Sequence, residues 1–140
     1  MGTLLDAQAL VALVLDEPAA QDVELILRQG SVGMAAPNLA ETLDVLSRVE
    51  GYPYDLLRSL LGPLAIVVVP MTEHHAWRAA ALRTRHYARD ESEVSLADCA
   101  LVATATPADV IATADRPVLR MAEAEGIATV ALPDSSGATA

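Results

Sequence analysis

Short apolar runs alternate along this chain with segments whose apolar residues recur every three or four positions. The run Thr3–Leu5 leads into a helical pattern over residues 7–15, which stops at Asp16, Glu17 and Pro18. Proline cannot continue a helix and biases its predecessor towards extended geometry. A second helix is predicted over residues 19–29, with Val23, Ile26 and Leu27 on one face and Gly30 as its stop. Residues 31–35 form a short strand candidate. Pro37 and Asn38 open the next helix, where Leu39, Leu43 and Leu46 make an apolar stripe.

Tyr52, Pro53 and Tyr54 break the chain before a helix carrying Leu56, Leu57, Leu60 and Leu61. Residues 65–69 are rich in β-branched side chains, the composition of a buried strand. Thr72 is placed to cap a long helix to about Arg89, and a polar loop spans residues 90–94. Ser95 begins another helix, with Asp98 in the third position of a capping box. Residues 110–113 read as a strand, 117–125 as a helix and 127–131 as a last strand. The small polar tail 134–140 is expected to be disordered.

About five strands separated by helices imply an α/β fold, a parallel sheet with helices on both faces. Right-handed crossovers cover both faces only if the strand order reverses, and ligands bind at the carboxyl ends of strands beside that reversal. Four acidic residues lie where that rule points. Asp6 follows the first strand and Asp115 the strand 110–113, while Glu41 and Asp98 fall in first turns of helices. Glu41 stands about 200° around its helix from both Leu39 and Leu43, away from the apolar stripe. Each has an ordinary explanation, because aspartate caps helices and glutamate is at home on a solvated face. Together they describe a carboxylate cluster. Clustered like charges hold protons more tightly unless a cation sits among them, and Mg²⁺ or Mn²⁺ is the cation suited to oxygen donors. Such an ion activates water and stabilises charge on a phosphoryl oxygen, so the cluster points to metal-assisted phosphoryl chemistry.

Composition narrows the choice. The 140 residues suit one domain, and 53% are hydrophobic although only 3% are aromatic and none is Phe, so the core is aliphatic. A net charge of −10 argues against a nonspecific nucleic-acid binder but suits a carboxylate metal site and a basic partner segment. All nine cationic residues are Arg. Without lysine the chain lacks the cation that phosphoacceptor receiver domains and haloacid-dehalogenase-like phosphatases use to neutralise a phosphoryl group. A dinucleotide-binding protein would carry a glycine-rich turn after the first strand, where this chain has Asp6, Ala7, Gln8 and Ala9. The single cysteine, Cys99, excludes an intrachain disulfide and reads as a small buried hydrophobe. No apolar stretch is long enough to span a membrane, and no cation precedes Arg28 to start a secretory signal, so a cytoplasmic location is expected.

The stretches TLLDAQALVALVLDEP, APNLAETLDVL, SLADCALVATA and VIATADRPVLRMAEAEGI resemble, in order, the motifs of PIN-domain ribonucleases of the VapC toxin type. The resemblance runs from Thr3 to about Leu132, making residues 1–133 one nuclease domain. It implies a three-layer fold with a parallel sheet of about five strands. It also implies that Asp6, Glu41, Asp98 and Asp115 are the catalytic, metal-binding residues of a Mg²⁺-dependent endoribonuclease (Mn²⁺ being a possible substitute). Thr113 matches the hydroxyl residue two positions before the last aspartate. Where the family has a small hydroxyl or amide residue two positions after the first aspartate, this chain has Gln8, whose longer amide reaches a metal-bound water differently. Resemblance further implies a VapB-like antitoxin, homodimerisation, and a transfer or ribosomal RNA substrate. A PIN fold without activity, working only by binding a partner, is the alternative.

His74 and His75 are adjacent and so cannot face the same way on a helix; they read as part of a solvated face. His86 lies in the arginine-rich stretch 83–89. That stretch is either an ordinary helix end, where cations are favoured, or a basic patch that steers RNA towards an acidic protein. On the second reading Arg83, Arg85, Arg89 and Arg116 are candidate RNA contacts.

Overall fold

The computed structural model describes residues 2–88 and 93–140, so Arg89 and most of the expected polar loop lie outside the described residues. Five strands form one wholly parallel sheet: β1 (Thr3–Leu5), β2 (Val32–Ala35), β3 (Val67–Val69), β4 (Val110–Thr113) and β5 (Ala128–Ala131). Their order is β3-β2-β1-β4-β5. The chain steps outwards from β1 to β3 and then returns to the other side of β1. The reversal therefore lies between β1 and β4, at the strand ends that precede Asp6 and Asp115.

Period-two alternation divides the core between the two faces. Leu4 and Ile111 join one cluster with Leu82, Leu101, Val118 and Met121. Those partners come from α5 (Glu73–His86), α6 (Leu96–Thr104) and α7 (Arg116–Ala124). Leu5 and Ala112 join the opposite cluster with Leu10, Val23 and Met34. That side is built from α1 (Ala7–Leu15) and α2 (Ala20–Gln29), with Leu39 of α3 (Ala36–Asp44) and Leu61 of α4 (Tyr54–Leu61) packed against it. The expected three-layer α/β architecture is thus present. Gly33 sits mid-sheet, where an added Cβ would stand 3.0 Å from Leu4 Cδ2 and 3.2 Å from the Val67 carbonyl oxygen. A side chain there would push the neighbouring strands apart.

Local signals set most boundaries. Asp6, Thr72, Ser95 and Asp115 each cap a helix through a side-chain oxygen. Asp16, in the left-handed conformation at φ 55°, ends α1 two residues before the proline. Two expectations need correction. The β-branched run at residues 65–69 is not a buried strand: β3 is the sheet edge, leaving Val67 65% and Val68 41% exposed. Glu41 does not fall in the first turn of its helix, because α3 begins at Ala36 and Glu41 stands in its second turn. His75 belongs to an exposed helix start as expected, and its Nδ1 accepts from the Thr72 amide at 3.2 Å to complete the cap of α5. No helix among the described residues is long and apolar enough to cross a membrane.

Candidate metal centre

Asp6 leaves the end of β1 and is 4% exposed. Its Oδ1 accepts from the Ala9 amide at 2.9 Å, capping α1. Its Oδ2 accepts from the Thr113 hydroxyl at the end of β4. The same hydroxyl oxygen accepts from the Asp115 amide at 3.0 Å, and Asp115 in turn caps α7. One threonine therefore links the carboxyl ends of the two strands that flank the reversal. Asp98 reaches the area from α6, where its Oδ2 accepts from the Ser95 amide at 2.9 Å. Glu41 approaches from α3 and is half-buried.

Electrostatics ties the four together. The Asp6 carboxyl is raised to about 6, chiefly by burial and also by the charges of Asp98 and Asp115, while the Thr113 and Ala9 hydrogen bonds oppose the rise. Glu41 is raised by burial and then by Asp98, Asp115 and Asp44. Asp115 is raised by burial and then by Asp98, against the Val118 amide. Asp98 is thus a charge felt by all three others. An oxygen-only donor set with raised proton affinity suits a hard divalent cation. Among the described residues no three His, Cys, Asp or Glu side chains already stand in an arrangement that holds an ion. The fit therefore rests on donor chemistry and the shared field.

The remaining candidates separate. Gln8 is exposed and lines, with Asp115, Glu17, Glu50 and Asp134, a cleft of about 420 Å³. Arg83 donates from Nε to the Val94 carbonyl at 3.1 Å and lies over the Tyr87 ring. Arg85 pairs with Glu125 at 2.7 Å, and His86 joins the same carboxylate at 2.8 Å. Both arginines hold their own chain together. The Arg116 side chain, exposed and adjacent to Asp115, makes no hydrogen bond or ion pair among the described residues. Sequence reading passed over Asn38, which is 1% exposed in the first turn of α3. Polar residues are ordinary at helix starts, and nothing local distinguished this one.

The PIN domain family pattern matches residues 3–124. The chain belongs to the PIN domain family. No curated protein matches it significantly. Solved structures share the PIN fold at low identity. A chain of the DNA-bound VapBC structure from Salmonella typhimurium superposes with TM-score 0.66 at 17% identity, covering 93% of this chain and 97% of that one. VapBC2 from Rickettsia felis, bound to a promoter DNA fragment, gives 0.63 at 13% identity, with 93% and 98% covered. FitAcB from Neisseria gonorrhoeae gives 0.61 at 23% identity, with 91% and 95% covered. These likenesses carry the fold of this PIN domain.

Proposed function

We propose that this PIN domain is a Mg²⁺-dependent endoribonuclease, the toxin of a VapBC-like toxin–antitoxin pair, acting in the cytoplasm as a homodimer. The observation that carries the reading is the cluster of carboxylates at the sheet reversal, where burial and neighbouring negative charge raise Asp6, Glu41 and Asp115. Asp6, Glu41, Asp98 and Asp115 would hold Mg²⁺, or Mn²⁺ in its place. When bound, the ion supplies Lewis acidity at a phosphoryl oxygen and lowers the pKa of water beside it.

The chain's own residues divide the remaining work. Thr113 and the Ala9 amide fix the Asp6 carboxylate from both sides, so its orientation is set before RNA arrives. Gln8, on the cleft wall, orients water by its amide. Water attacks the phosphodiester in line as the bond to the 3′ oxygen breaks. The products are a 5′-phosphate and a 3′-hydroxyl, and the leaving oxygen takes up a proton. Arg116 is the foremost candidate phosphate contact, with Arg83, Arg85 and Arg89 as the other candidates. Transfer or ribosomal RNA is the substrate class.

The neighbours crystallised as VapBC and FitAB complexes support a VapB-like antitoxin as partner. A largely apolar cavity of about 560 Å³, lined by Met34, Leu39, Leu43, Leu57, Leu61 and Ile66 among others, offers its apolar residues a seat. Titration of Mg²⁺ or Mn²⁺ into chelated protein tests the reading. The melting temperature should rise, because the ion binds the folded site only, and RNA cleavage should appear with it. No shift at millimolar metal, together with cleavage surviving in chelator, would overturn the proposal. Metal binding without cleavage of any RNA would favour a PIN fold that acts only through its partner.

A further inference from the structure

Asn38 lies three residues before Glu41, and residues so spaced on a helix are neighbours on its surface. Its Nδ2 donates to the Ala97 carbonyl at 3.4 Å, and Ala97 directly precedes Asp98 in the first turn of α6. The backbone of Asn38 is itself held, because the buried Thr42 hydroxyl donates to its carbonyl at 2.8 Å. Asn38 thus forms a side-chain bridge between the helix that carries Glu41 and the helix that carries Asp98.

The bridge makes poor sense as a stability device. Asn38 Oδ1 is buried without a hydrogen-bond partner, and an unsatisfied buried acceptor costs about 1–3 kcal/mol. An apolar residue of similar size would fill the position without that cost. The Ala97 carbonyl has no need of the bond either, since it lies inside a helix that supplies its own acceptor–donor pairing. What the contact does supply is a defined distance between the start of α3 and the start of α6. Glu41, in the second turn of α3, and Asp98, in the first turn of α6, are close enough that the charge of Asp98 raises the Glu41 carboxyl.

We infer that Asn38 is a positioning residue that sets the separation of Glu41 and Asp98 so that both reach one divalent cation. The inference rests on the metal-dependent reading above. It assigns Asn38 no contact with RNA or with the ion. Groups that orient metal ligands typically matter 10–100-fold in affinity.

The test measures Mn²⁺ binding to the full-length, chelated protein by calorimetry, with no RNA present. Four proteins are compared: wild type, Asn38→Leu, Glu41→Gln and the double variant. Asn38→Leu should melt at or above the wild-type temperature without metal, yet bind Mn²⁺ about 10-fold more weakly. In the Glu41→Gln background the same substitution should change affinity less than about 2-fold, because the two effects share one spacing. Wild-type affinity in Asn38→Leu, or an undiminished loss in the Glu41→Gln background, overturns the inference. If Asn38→Leu does not fold, Asn38→Ala is put through the same comparison. Wild type that takes up no Mn²⁺ sinks the metal reading itself, whereas wild-type binding matched by Asn38→Leu sinks only the role of Asn38.

Discussion

The Thr113 hydroxyl donates to Asp6 Oδ2 across 107 residues of sequence, joining the ends of the two central strands at the sheet reversal. Both residues are buried, so the bond stabilises the charged form of Asp6 where water cannot. Thr113→Val preserves shape and removes the donor. Stability at pH 8 should fall by about 1–3 kcal/mol, the range for a buried group left unsatisfied. The loss should shrink at pH 4, where Asp6 is protonated and less dependent on the donor. Urea denaturation at the two pH values measures the difference; an equal loss at both would show that the hydroxyl does not act through Asp6.

Asp6 also sets a pH dependence in the metal-free protein. Its folded carboxyl is raised to about 6 from an ordinary value near 3.8, so the folded state binds this proton more tightly than the unfolded chain. Its contribution is therefore fully present below about pH 4 and is lost as the pH rises through about 6. The difference corresponds to roughly 3 kcal/mol. Asp6→Asn should flatten the fall in stability between pH 4 and 7 and melt above wild type at pH 8 in chelator. Parallel pH profiles for the two proteins would refute this.

Asp98→Asn and Asp115→Asn separate charge from fold. Asparagine caps helices about as well as aspartate, which preserves α7 at Asp115, and its amide oxygen can still accept from the Ser95 amide at position 98, so the starts of α6 and α7 should survive while one anionic oxygen is lost. Circular dichroism should be unchanged and RNA cleavage should drop by at least about 100-fold, more than the loss of a mere supporting group. Wild-type cleavage by either variant would show that the carboxylates are not the site.

The arginines should not behave alike. Arg85→Glu places like charge against Glu125, whose carboxyl the His86 and Arg85 contacts hold below its ordinary range. Its main effect should be on the contact between the ends of α5 and α7, seen as a lower melting temperature. Arg116→Glu touches no such partner. It should slow cleavage with little change in melting, and most strongly at low salt, where screening is weakest. A salt-independent loss in Arg116→Glu would place that residue outside the path of RNA.

The sequence by itself determined the local architecture. Caps at Asp6, Thr72, Ser95 and Asp115, the stop at Gly30 and the strand at Val110–Thr113 depend on interactions within a few residues, which composition and spacing make visible. It also placed Asp6 and Asp115 just after their strands and Asp98 in the first turn of α6, because those positions follow from the elements, whereas Glu41 lies one turn further into α3 than expected. Tertiary structure alone decided what met what. β3 is an exposed edge because the strand order puts it there, although its valines suit a buried strand equally well. The Thr113–Asp6 bond and the Asn38 bridge to Ala97 join residues 107 and 59 positions apart. Such pairs leave no periodic trace, because a hydrogen bond needs proximity in space and the crossovers that supply it span whole helices.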